Sequence, residues 1–144
     1  GSGYLFRTAT VQDFSAVTGA CLLVRASVYD EVGGLDEQFA VAFNDVDFCL
    51  RVRDAGYRIA WTPYAQLVHY ESKSRGGDEK DPAKAARFAA EQQRLYAIHG
   101  KEDILDDPYY NPNLTRDRED FSESDDLRRL KEGTVTVRFR GGEA

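Results

Sequence analysis

The chain has 144 residues, 42% of them apolar, and a formal net charge of -6. That length supports one hydrophobic core and hardly two. The acidic excess, with no basic stripe, excludes a nucleic-acid partner, and no apolar run reaches the roughly 20 residues of a membrane span.

No signal-peptide pattern stands at the start. Gly1-Ser2-Gly3 reads as a tag remnant, and the lack of any Met fits a chain cut from a longer one. Cys21 and Cys49 have apolar neighbours and neither CxxC nor metal-ligand spacing. They predict buried, reduced thiols in a cytoplasmic protein, at most peripheral to the inner face of the membrane.

Residues 16–24 (AVTGACLLV) are apolar and β-rich, which predicts a buried strand. Gly19 is costly inside a strand, so something is expected to approach its backbone closely. A short helix over residues 27–32 stops at Gly33-Gly34, and residues 36–43 form an aromatic-rich loop. The next helix covers residues 45–55, with Asn44 as its N-cap, Asp45 and Asp47 in the first turn, and Gly56 at its end. Residues 57–62 (YRIAWT) predict a strand closed by Pro63, and residues 65–70 another short extended run.

Residues 71–81 are polar and aperiodic, a mobile loop by composition. Asp81-Pro82 opens a helix that carries Phe88, Leu95 and Ile98 and ends at Gly100. Residues 106–113 (DDPYYNPN) are turn material. The charged stretch 115–132 allows a short helix over 126–131, and residues 134–140 (TVTVRFR) alternate as a strand does.

Three places concentrate candidate chemistry. The first is the small-residue run Thr18-Gly19-Ala20, where a ligand could lie against backbone. The second is Asn44-Asp45-Val46-Asp47, with two carboxylates at a helix start. The third is His69 with the loop Lys73-Ser74-Arg75. Each has a bland counterpart: relief of strand packing, an ordinary capped helix, a surface histidine beside a solvated loop. Asp45-Val46-Asp47 also spells a DxD. A diphosphate-chelating DxD follows an apolar strand, whereas this one opens a helix, so we do not read it as a chelate.

Together these places resemble the C-terminal, acceptor-side half of the GT-A fold in glycosyltransferase family 2. The resemblance is carried by AVTGACLLVR (16–25), VYDEVGGLDE (28–37), FNDVDFCLRVRDAGYR (43–58), WTPYAQLVHYESKSRG (61–76) and DPYYNPNLTRDREDFS (107–122). The last block is similar to a tail of bacterial members that build surface polysaccharide.

The resemblance implies an α/β protein, a partial GT-A (nucleotide-diphospho-sugar transferase-like) fold. A short mixed sheet would carry flanking helices over residues 4–122, with a charged extension over 123–144 and the donor-binding, Rossmann-like half missing. In that family the second member of an acidic pair before the helix is the catalytic base. Here that member is Asp45; the first is Asn44, an uncharged neighbour that spares it like-charge repulsion.

The reaction implied is inverting transfer from a nucleotide-diphospho-sugar to a glycan or other hydroxyl acceptor. His69 would be this half's ligand to a divalent cation, Mn²⁺ or Mg²⁺. Lys73, Ser74 and Arg75 would meet the donor diphosphate. Thr18, Gly19, Ala20, Asn44, Asp47 and Trp61 would line the acceptor side. Without the donor half the isolated chain is expected to be inactive, and its exposed sheet edge to drive self-association. A non-catalytic carbohydrate-binding or assembly module of the same fold is the alternative. A metal-dependent phosphate-ester site built on Asp45, Asp47 and His69 would need further carboxylates from residues 102–107.

Overall fold

The structure, a computed structural model, describes residues 4–68, 82–118 and 120–124. The expected loop 71–81, helix 126–131 and strand 134–140 lie outside those residues. The chain divides into two compact units, Gly1–Tyr109 and Tyr110–Ala144.

The first unit begins with a 3-10 turn, Tyr4–Ala9, and the strand β1, Gln12–Phe14. Then come a 3-10 turn at Gly19–Cys21, α1 (Ala26–Glu31), α2 (Asn44–Asp54), β2 (Ile59–Trp61), α3 (Pro82–His99) and α4 (Lys101–Leu105).

The glycines read as helix stops are stops. The Gly34 N–H donates to the Tyr29 carbonyl at 2.8 Å and the Gly33 N–H to Asp30 at 3.2 Å. Both glycines have positive φ, +80° at Gly33 and +67° at Gly34. This is the paired bonding of a left-handed C-cap, which satisfies carbonyls the helix leaves open. α2 ends the same way, with Gly56 at φ +89°, its N–H on Arg53 at 2.9 Å and the Tyr57 N–H on Val52 at 3.2 Å.

Two elements went unread in the sequence. β1 is short and polar, so it has no apolar alternation, yet it pairs antiparallel with β2 through Gln12↔Trp61, Asp13↔Ala60 and Phe14↔Ile59. Arg58 bridges to Asp13 at 2.8 Å alongside the ladder. α4 follows Gly100 at once, in five residues too short and charged to show a period.

Three expectations are corrected. The sheet of the described residues is a two-stranded antiparallel pair, not a mixed one. Residues 16–24 are not a strand: Gly19–Cys21 is a 3-10 turn, and Leu23 is 98% exposed. The apolar signal was genuine but served packing. Ala16, Val17, Leu22 and Val24 lie against the core of Val28, Phe48, Cys49, Val52 and Ile59, while the turn between them lifts residues 18–21 into solvent. That turn also leaves Cys21 exposed, against the expectation of two buried thiols, whereas Cys49 is buried; both are free.

The described part of residues 65–70, through Val68, carries no strand assignment. In the second unit Leu114 bridges Glu123 in antiparallel fashion. The Tyr110 hydroxyl donates to the Thr115 carbonyl at 2.6 Å, closing a small turn structure over residues 110–124.

Candidate active site

α2 places the candidate base. Its first helical residue is Asn44, and the capping position is Phe43, held left-handed at φ 63° and ψ 2°. Asn44 is therefore inside the helix rather than its N-cap. The open N–H groups of the first turn are met locally. Asn44 Oδ1 accepts from the Asp45 N–H at 2.7 Å, and Asp45 Oδ1 from the Val46 N–H at 2.9 Å. The carboxylate also sits at the positive end of the helix dipole.

The other oxygen reaches across the fold: Asp45 Oδ2 accepts from the Gly19 N–H at 2.8 Å. What approaches the Gly19 backbone is thus the Asp45 carboxylate. A Cβ at Gly19 would stand 3.4 Å from Asp45 Cβ and 3.6 Å from Oδ2. One turn further along α2, the Cys49 thiol donates to the Val17 carbonyl at 3.9 Å. Residues 45 and 49 share a helix face, and together they hold the segment 17–19 against it. Thr18 Oγ1 accepts from the Ala20 N–H at 3.3 Å and sets the turn. Thr18, Gly19 and Ala20 are exposed and Asp45 is half-buried, so the carboxylate lies at an open surface.

Asp47 corrects an expectation. It is 1% exposed, and both its oxygens are taken. Oδ2 accepts from Arg51 Nε and a second guanidinium nitrogen at 2.9 and 2.7 Å, and Oδ1 stands 2.8 Å from His99 Nε2. A carboxylate so buried and saturated has no face for an acceptor; it is structural, ion-paired with Arg51 within α2 and bonded to His99, which ties α3 to α2. Arg51 also donates to the Val32 carbonyl, which joins α1 to the same knot.

Trp61 stands on β2 with its ring edge-on to Phe14, centroids 6.3 Å apart and planes at 85°. The structure brings Asp45 together with Asn44 and Gly19, and leaves Trp61 in the sheet. His69, Lys73, Ser74 and Arg75 lie outside the described residues. Among those described, no three His, Cys, Asp or Glu side chains gather as a metal site. The described residues do not by themselves fit a divalent cation.

Reading by spacing missed Glu91 and His99. Glu91 is 6% exposed and accepts from the Ala42 N–H at 2.6 Å. The i,i+4 spacing of Asp47 and Arg51 was legible. Glu91 and His99 meet partners 49 and 52 residues away, a separation with no local signature.

The family model described as glycosyl transferase family group 2 matches residues 1–97. An uncharacterized protein of Sinorhizobium fredii is 48% identical over 83% of this chain and 13% of its own length. An O-antigen biosynthesis protein of Myxococcus xanthus, RfbC, is 35% identical over 75% of this chain and 8% of its own. An N-acetylglucosaminyl-diphospho-decaprenol L-rhamnosyltransferase of Mycobacterium tuberculosis is 36% identical over 56% of this chain and 24% of its own. The chain therefore spans less than a quarter of each of these relatives. No solved structure matches it.

Proposed function

Because this chain belongs to glycosyl transferase family group 2, we propose that it carries the base of a sugar-transfer reaction, Asp45, on the acceptor side of the active site. The observation that carries the reading is the Gly19 N–H to Asp45 Oδ2 contact at 2.8 Å. It aims a half-buried carboxylate at the exposed small-residue turn where an acceptor hydroxyl can approach backbone.

The reaction we assign is inverting. Asp45 takes the proton of the acceptor hydroxyl as its oxygen attacks the anomeric carbon. The bond from that carbon to the diphosphate breaks, and its electron pair leaves with the nucleoside diphosphate. Thr18, Gly19, Ala20 and Asn44 form the acceptor wall. The donor is a nucleotide-diphospho-sugar and the acceptor a surface glycan, a reading supported by relatives named for O-antigen biosynthesis and for rhamnosyl transfer. Donor binding is assigned to residues elsewhere in a longer transferase, in keeping with the share of the relatives this chain covers. His69 as a cation ligand, with Lys73, Ser74 and Arg75 on the diphosphate, belongs to the same proposal.

The test is Asp45→Asn in the intact transferase, which keeps the shape and one of the two accepting oxygens but cannot take a proton. kcat should fall by about 10²–10⁴-fold, the usual worth of a general base, while KM for the donor is unchanged. Activity near the wild-type level would remove Asp45 from the mechanism.

A further inference from the structure

α3 runs 18 residues from Pro82 to His99. One face of it meets the segment leading into Asp45 again and again. The Phe88 ring packs on Phe43, centroids 4.9 Å apart. Glu91 accepts from the Ala42 N–H at 2.6 Å. Arg94 bridges to Asp36 at 2.8 Å and lies over the Phe39 ring at 5.4 Å. His99 closes on Asp47 at 2.8 Å. Phe88, Glu91 and Arg94 are three residues apart, and the buried Leu95 continues from Glu91 to His99 in steps of four, so these grips share one face.

Two of these grips, both buried, flank Asp45 on either side. Glu91 fixes the backbone before it, at Ala42, and His99 fixes the helical turn after it, at Asp47. Between them Phe43 is held in left-handed backbone, which is costly for a non-glycine residue. Such a conformation persists where its surroundings impose it. Glu91 is 6% exposed, and the His99 and Asp47 side chains are 6% and 2% exposed. Packing alone does not call for buried polar side chains there, because a buried pair replaced on both sides by apolar residues often serves stability as well or better.

We propose that α3 is the positioning element of the base: Glu91 and His99 clamp the two flanks of Asp45 and so fix the direction of its carboxylate toward Gly19. The inference rests on the reading of Asp45 as the base. It adds two residues that touch neither acceptor nor donor and act through Ala42 and Asp47.

The experiment replaces each clamp by an apolar side chain of similar volume, Glu91→Met and His99→Phe, and by an amide that keeps the hydrogen bond, Glu91→Gln and His99→Gln. All are made in the intact transferase, with Asp45→Asn in parallel. Each apolar variant leaves the Ala42 N–H or Asp47 Oδ1 without its partner and should lower Tm. Assayed at a temperature where it is folded, it should lose about 100-fold in kcat, the cost of a reacting group displaced by about 1 Å. Their donor KM should not change. The amide variants should recover most of the loss. Apolar variants with wild-type kcat would overturn the clamp. If the apolar variants do not fold, the amides carry the test, and a 100-fold loss in them would overturn it. Should Asp45→Asn stay active, the base reading fails. Should it be inactive while the apolar variants keep full kcat, only the α3 inference fails.

Discussion

At Cys49 the thiol is fully buried under α2, and burial pushes its pKa above the ordinary 9.0, with the nearby Asp45 charge acting in the same direction. The sign follows directly. A folded-state pKa above the unfolded one means the unfolded chain gives up its proton first. The stability contributed by the buried thiol is complete below about pH 9 and is lost as pH rises from there through the folded value. Cys21 sits exposed on the 3-10 turn a few residues from Val17. Since the thiolate is the reactive form, iodoacetamide at pH 8 should add once to the native chain, at Cys21. A second adduct, at Cys49, should follow only in denaturant. Intact-mass measurement of the native protein settles this, and two native adducts would contradict the burial. The same residue scale explains Asp45 and Asp47. Two positions apart in a helix, they face different ways: one toward an open turn, the other into a knot with Arg51 and His99. Letter by letter they are alike, so only the Asp47–Arg51 spacing hinted at the difference.

Among the elements, the sharpest dependence on one residue is at the end of α1. Gly34 has φ +67°, and a Cβ there would come within 2.9 Å of the Tyr29 ring. Gly34→Ala should therefore cost about 1–2 kcal/mol from the left-handed backbone alone. The Tyr29 ring is partly exposed and can swing aside, so little more is expected. Tm should fall by roughly 3–6 °C per kcal/mol for a domain between the 100- and 150-residue size classes. Gly33→Ala, at φ +80° with nothing within 4 Å, should behave alike; a neutral Gly34→Ala would contradict the cap. These stops were legible because a left-handed cap nearly demands glycine, and glycine shows in the sequence. The helices α2 and α3 were legible for a related reason: an apolar period and a closing glycine, Gly56 and Gly100, agree with one another. The strand expected over residues 16–24 failed because β-propensity reports a half-buried surface and not a ladder. A ladder needs a partner, and among the described residues β1 and β2 pair with each other. What apolar residues 16, 17, 22 and 24 share is a place against the core, which a turn in their middle does not disturb.

For the molecule as a whole, the described sheet has two strands, each paired along one edge. Such a ribbon is marginal alone and depends on what covers it. Large apolar side chains stand in solvent nearby in the sequence. Val11 before β1 is 60% exposed, and Tyr64, Leu67 and Val68 after β2 are 86%, 62% and 74% exposed. Leu23, at 98%, stands out beside the core segment. Apolar surface of this kind gains on the order of 25 cal/mol for each Å² removed from water, and an unpaired strand edge offers backbone groups to a second chain. We propose that the 144-residue chain studied alone self-associates through this edge. Light scattering across a concentration series should show the weight-average mass rising above the 16.2 kDa of one chain. Tyr64→Lys with Val68→Lys, which place charge on the apolar rim, should shift the rise to higher concentration. A constant monomer mass up to the highest soluble concentration would refute the proposal. The net charge of -6 works against association by mutual repulsion, so raising the salt from low ionic strength should strengthen it. An edge held mainly by salt bridges would respond the other way.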